Sequence, residues 1–436
     1  MQTTRARLRR LLAPLVLLTM LASAATGLHV VGVCDGQPLD AAPCTLWHRA
    51  DAGDQLAWKA DTPVLASPSG DRVYVILDGQ DGASVRAFDG ATGAVAWSMP
   101  LAGVAASLRL APDGKSVYAS TYAGVWALRA TTGAVLWSSA ILGGGMVLSD
   151  NGKTLVAHHA NLAPAGTPGL SAVRAETGAT LWARAASYGT LAANPGKRLF
   201  AQGPDQQGLS IAAIRMTDGA ILWQQPADPG TPVGQPLLSA DAPSGSVVFA
   251  ARTFTGTPSL HVVVGRLAAG TGQLTWSSEI QPALGATTAD PPVGLAIDGP
   301  LGVLAVAGST QVTGMRLATG QALWTFSFLS PQGQGMFAGI TINPVAHQFW
   351  VFGLQRLSVA QPAQGILVAI GTQTGKEVAA ATYAPTATDA VVEGLSVSHD
   401  GTRLFAAGVQ IQKVLPSGSD LVVLAYPLPL APPVRI

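Results

Sequence analysis

The sequence is short of the residues that carry most enzymatic chemistry. Charged side chains make up 11% of its 436 residues, and it holds 7 His and 2 Cys. The cysteines, Cys34 and Cys44, both lie near the N-terminus, and no vicinal pair or CxxC occurs, which excludes the usual thiol-redox and cysteine–zinc motifs. A net charge of +1 gives no global field to gather nucleic acid or a membrane surface. No nucleophile elbow with Ser, His and Asp is visible, and the Gly-rich Leu142-Gly143-Gly144-Gly145 leads into a strand rather than a phosphate-binding helix. His158 and His159 are adjacent on an expected strand, so they point to opposite faces and do not chelate one ion together; His261, His347 and His399 are scattered fillers. What is abundant is Gly, at 50, and Pro, at 30, which suits many short strands and turns.

The N-terminus reads as an export signal over residues 1–24. Arg5, Arg7, Arg9 and Arg10 precede the apolar run Leu11 to Leu21 and a small-residue site at Ala22 to Ala24. Apolarity resumes from Gly27 to Val33, so an uncleaved anchor over 11–33 is the rival, and only in that case is a membrane a partner. The chain is expected in the periplasm, in the cell envelope or outside the cell. Val33 before Cys34 is too bulky for a lipid-anchor signal. Residues 25–53 form a leader in which Cys34 and Cys44 are placed to close a small disulfide loop; two unpaired thiols is the alternative.

From there one pattern repeats. Ala127 to Trp137 reads as a strand, a Thr-Gly turn and a strand ending in Trp. It recurs at Ala87 to Trp97, Ala172 to Trp182, Ala213 to Trp223, Arg266 to Trp276 and Gly314 to Trp324; Ala369 to Ala379 keeps the turn and lacks the Trp. The turn glycines are Gly93, Gly133, Gly178, Gly219, Gly272, Gly320 and Gly375. Two further strands precede each hairpin, joined by turns such as Pro112-Asp113-Gly114-Lys115. Self-similarity at this period means a stacked or radial array.

The unit count predicts the architecture. Seven complete four-stranded units end at Ala379, and three more strands follow before the Pro-rich tail at 427–436. The missing fourth strand is assigned to Gln55-Leu56-Ala57-Trp58 at the other end. The expected fold is therefore an all-β, eight-bladed propeller over 54–426, its last blade closed by the N-terminal strand so that no sheet edge is left open. Trp58, Trp97, Trp137, Trp182, Trp223, Trp276 and Trp324 are expected to wedge between neighbouring blades rather than to stack on a cofactor.

In a four-stranded meander both turn types fall on one face. Lys115, Lys153 and Lys197 lie in one set and Arg129, Arg174, Arg215 and Arg316 in the other, so that face would carry a basic ring able to hold an acidic glycan or protein. The alternative is local pairing with Asp71, Asp113, Asp150, Glu176 and Asp218. The opposite face is expected to carry long connections at Gln225–Gln235, Ser277–Pro292, Ser327–Phe337, Leu354–Gly365 and Thr382–Glu393.

The A-x-D-x-x-T-G-x-x-x-W pattern resembles the repeat of pyrroloquinoline-quinone (PQQ) dehydrogenases and their non-enzymatic relatives, across residues 54–426. The Asp-Gly-Lys turns resemble those of YVTN-type propellers. The blade count also resembles the eight-bladed outer-membrane assembly scaffold, a lipoprotein. The quinone enzymes imply PQQ, a vicinal cysteine ring, carboxylates around Ca²⁺ and a catalytic Asp. Here the Asp of the pattern survives only as Asp89, and Arg replaces it at Arg129, Arg174, Arg215 and Arg316. The resemblance therefore implies a non-catalytic binding scaffold for a protein or glycan, without nucleic acid or a required cofactor. A quinone- or metal-dependent oxidoreductase and an envelope-assembly factor are the alternatives.

Overall fold

In a computed structural model the chain is built from strands alone among its described residues. The structure describes residues 47–428 apart from 52–54, 57–61, 80–81, 141–142, 159–168, 186–187, 195–197, 203–208, 229–230, 233–235, 242–244, 255–259, 281–290, 328–333, 357–361, 384–388 and 412–418. The expected signal, the Cys34–Cys44 loop, Trp58 and Lys197 lie outside the described residues.

Eight antiparallel sheets form eight blades. Blade 2 shows the plan: strands Ala105–Leu110, Ser116–Thr121, Gly124–Arg129 and Val135–Ser139 pair in order. The two middle strands are sandwiched between neighbouring blades and are apolar on both sides, as in Val303–Gly308 of blade 6, buried throughout. The outer strand alternates instead, with Trp97 and Leu101 of Val95–Leu101 buried and Val95, Ser98 and Pro100 exposed. Hydrophobic clusters lie between blades rather than within them. One joins Tyr74, Ile76 and Trp97 of blade 1 to Leu108, Val117 and Leu128 of blade 2. Another joins Val73, Val75 and Phe88 of blade 1 to Phe405, Leu421 and Val423 of blade 8, so the ring is shut by packing.

It is also shut by pairing, though not by the expected strand. Trp47–Asp51 pairs antiparallel with Ser419–Pro427, completing blade 8. The expected closing segment begins with Gln55–Leu56, which pairs with Arg72–Gly79 and so belongs to blade 1. Register explains the correction. Trp47 lies opposite Ala425, as Trp97 lies opposite Ala87 and Trp137 opposite Ala127. The eighth repeat position is therefore Trp47, where the repeat count had assigned Trp58. Further bonds weld the seam: Ala66 N donates to Ser396 Oγ at 2.8 Å, and Arg403 Nη1 to Gly70 O at 2.8 Å.

A second correction concerns the long connections. Strands extend into most of them: Ile221–Asp228, Leu274–Ile280, Gln334–Asn343, Gln348–Arg356 and Asp389–Val397 all run into segments expected to be loop. Long strands with Thr, Ala and Gly in them lack the apolar alternation by which a strand is read from sequence.

Candidate functional site

The repeat residues interlock consecutive blades. The Nε1–H of Trp97 donates to Ala130 O of the next blade at 2.9 Å, and Trp137, Trp182, Trp223, Trp276 and Trp324 donate likewise to Ala175, Met216, Ala269, Leu317 and Thr372 at 2.8–2.9 Å. Each indole lies on the turn glycine of that next blade. A Cβ at Gly133, Gly178, Gly219, Gly272, Gly320 or Gly375 would come within 2.4–2.7 Å of the ring. These glycines also hold φ between +64° and +72°, so glycine is required twice over. Gly93 has the same φ, +71°. Each hairpin has an extra residue just before the tryptophan, as between Val135 and Trp137, which turns the indole toward its neighbour.

The exception has a reason. Blade 7 ends in Ala379, and blade 8, completed by a separate segment, has no Thr-Gly turn to receive an indole. The bulk is supplied from the second strand instead, by Trp350, 1% exposed and packed with Leu404, Leu424 and Tyr426.

Both turn types do fall on one face. Arg72 Nη1 of a first–second turn reaches Asp89 Oδ2 of a third–fourth hairpin at 2.7 Å. Asp89 is a turn cap: its Oδ1 accepts from the amides of Ala91 and Thr92 and from Thr92 Oγ1. Partial burial works to raise its pKa, but these bonds and Arg72 hold it below the usual carboxylate value. Where Arg129 stands instead, the Thr hydroxyl caps the turn, Thr132 Oγ1 accepting from Ala134 N at 3.4 Å, and beside Arg215 the cap is Asp218 Oδ1, accepting from Ala220 N at 3.0 Å. The expected basic ring is partly neutralised in place. Lys115 lies 3.8 Å from Asp113, and Arg215 2.7 Å from Asp218. Among the described residues Arg129, Arg174, Arg316 and Lys153 are exposed with no side-chain partner.

Three histidines among the described residues are engaged in local bonds. His158 Nε2 accepts from Gly145 N at 3.0 Å, His261 pairs with Glu279, and His347 Nδ1 lies 2.9 Å from the buried Asp298 of the neighbouring blade.

The strands, their eightfold ring and the motif positions can now be set beside known proteins. A family model described as outer membrane protein assembly factor BamB matches residues 45–141 and 123–380. The chain belongs to this family of PQQ-like repeat propellers. No curated protein sequence matches it. Among solved structures, BamB from Moraxella catarrhalis is 17% identical with a TM-score of 0.50, covering 86% of this chain and 96% of that one. Sqt1 from Saccharomyces cerevisiae reaches a TM-score of 0.58 at 10% identity, over 89% of this chain and 100% of its own. Quinohemoprotein alcohol dehydrogenase from Comamonas testosteroni reaches 0.52 at 12% identity, over 88% and 77%.

Some members of such a fold carry a quinone and Ca²⁺, so the donor set of this PQQ-like propeller matters. Among the described residues no three His, Cys, Asp or Glu side chains converge to hold a metal ion. Asp89, the surviving pattern carboxylate, is spent on its own turn. The described residues do not fit a calcium-bound quinone.

Sequence reasoning missed several placed charges. Arg266, standing where the other repeats have Ala or Gly, bonds Ser246 Oγ at 2.8 Å and lies 3.6 Å from the buried Asp241. Its departure from the repeat was the available signal. Glu393 gave none. It is the extra residue of a bulge between Val392 and Gly394 in the first strand of blade 8, with a buried Oε2 that has no hydrogen-bond partner among the described residues. Burial pushes its pKa up to about 7. A folded-state value above the unfolded one means the folded state holds a proton that the unfolded chain has already released. Stability is thus full below about pH 4.5 and is lost as pH rises toward 7. Glu393→Gln should stabilise the protein by on the order of 1–2 kcal/mol at pH 8 and change little at pH 5, read from urea midpoints, after allowance for partial solvent screening.

Proposed function

We propose that this PQQ-like propeller is a non-catalytic scaffold of the cell envelope that holds a protein or glycan partner on its turn face and outer rim. The repeated Trp and Gly are spent on joining blades. What remains on that side is a rim of exposed aliphatic side chains beside unpartnered guanidinium groups. Val135, Leu136, Leu181, Ile221, Leu222 and Leu323 are 36–44% exposed, all in outer strands just before the tryptophans. That rim is the observation that carries the reading: the same outer-strand position is apolar and exposed in several blades, and exposed apolar surface repeated on a rigid frame suits contact with a partner. An envelope location and assembly role are the extension that the matching family's description favours.

Two measurements test it. A photo-cross-linking residue at Leu136 or Leu222 should give a discrete adduct with one partner in the native host, whereas one at Pro100, exposed at the opposite end of an outer strand, should not. Addition of PQQ and Ca²⁺ should produce no bound-quinone absorbance and no dye-linked alcohol oxidation. Turnover, or equal labelling from both ends of the outer strands, overturns the proposal.

A further inference from the structure

The turn face is not uniform. Between blades 3 and 4 it opens into a cleft of about 560 Å³, within the range of small-ligand sites. Lys153 enters from the first–second turn of blade 3 and Arg174 from the end of its third strand. Leu181 and the buried Met216 supply an apolar wall, and Thr217 and Glu176 add polar groups.

The equivalent turns of blades 1, 2 and 4 each carry an ion pair. In blade 1 the position of Lys153 is held by Asp71 and that of Arg174 by Asp89, which is paired with Arg72. In blade 2 Lys115 has Asp113 beside it, and in blade 4 Arg215 has Asp218. Lys153 and Arg174 combine a concave setting with a lack of carboxylate partners among the described residues. A second cleft, of about 440 Å³ between blades 5 and 6, is lined by Glu279 and no Lys or Arg.

We infer that the cleft between blades 3 and 4 seats a carboxylate-bearing segment of a peptide, with its acidic side chain between Lys153 and Arg174 and an aliphatic neighbour against Leu181 and Met216. The inference rests on the scaffold reading and names the chemistry of one of its contacts. Glu176 decides between anions. Its carboxylate on the same wall repels a compact dianion such as phosphate more than a single carboxylate carried on an apolar backbone. Because Lys153 and Arg174 are exposed, the attraction is screened by salt and contributes as much to orientation as to affinity.

Fluorescence anisotropy with the full chain and a labelled peptide of alternating Glu and Leu tests this. Lys153→Ala with Arg174→Ala should weaken binding about tenfold or more, and Glu176→Gln should tighten it about threefold. Arg316→Ala, at the position of Arg174 in blade 6, should leave it unchanged. Added salt should weaken binding, and a peptide with Gln for Glu should not bind. The inference is overturned if Arg316→Ala matches the double variant, if the Gln peptide binds equally, or if inorganic phosphate displaces the Glu peptide at equal concentration. Absence of binding by the intact chain also overturns it. That result leaves the cross-linking at Leu136 unaffected, so the two readings fail separately. Unchanged melting curves for each variant exclude misfolding as the cause.

Discussion

Trp276→Ala should cost the protein about 3–5 kcal/mol of unfolding free energy, the range for removing a buried aromatic ring. The ring is 9% exposed and spans the gap between blades 5 and 6, where its Nε1–H donates to Leu317 O at 2.9 Å. Gly320→Ala attacks the same contact from the other side. Its new Cβ would lie 2.4 Å from Trp276 Cε3 and 2.8 Å from Ser278 Oγ, on a backbone with φ of +71°. Left-handed backbone costs roughly 1–2 kcal/mol for a residue with a Cβ, and overpacking about 1–3 more. The two losses should not add. Once the indole is gone the methyl group has room, so only the backbone term remains, and the double variant should be more stable than the sum by at least about 1 kcal/mol. Urea unfolding of all four proteins gives that coupling. Strict additivity would mean that the indole and the glycine act independently, contrary to the interlock.

The second large effect belongs to the seam. Removing residues 1–53 takes away Trp47–Asp51 and leaves Ser419–Pro427 as a bare edge in blade 8. Five residue pairs are lost, from Trp47 with Ala425 to Asp51 with Leu421. At about 1 kcal/mol net for each backbone bond, the loss is on the order of 3–5 kcal/mol, and the exposed edge should promote aggregation. Removing residues 1–46 should leave the urea midpoint almost unchanged. Equal midpoints for the two truncations would show that the strand at 47–51 does not hold the ring.

How much of this was legible in advance depends on the element. The hairpin motif announces itself because two physical demands fall on the same residues: a glycine at positive φ and a tryptophan that needs that glycine's missing Cβ. A sequence has to repeat such a pair at every blade, and Ala379 breaks the pattern only where blade 8 offers no turn. Blade number and ring closure therefore follow from counting. The identity of the closing strand does not, because Leu46-Trp47 and Ala57-Trp58 look alike, and only register against Ala425 separates them. The basic character of the turn face was visible as a run of Arg at the Asp position, but not its division into neutralised and open parts. That division depends on which carboxylates reach the basic side chain of their own turn: Asp113 and Asp218 do, whereas Asp150 and Glu176 form no ion pair among the described residues. Glu393 was invisible because its setting, a bulge beside blade 8's second strand, is a property of pairing and not of local sequence.

Closure by the strand at 47–51 is tested most directly by disulfide trapping in a chain with Cys34→Ser and Cys44→Ser. Ala50 faces Val422 in the ladder, and Leu56 faces Leu77. Ala50→Cys with Val422→Cys should cross-link under mild oxidation in the folded protein, as should Leu56→Cys with Leu77→Cys, since paired strands bring Cα atoms within disulfide reach. Leu56→Cys with Pro427→Cys, the pair that closure by the segment ending at Trp58 would bring opposite each other, should stay reduced. Cross-linking of that last pair, with none between positions 50 and 422, would contradict the account.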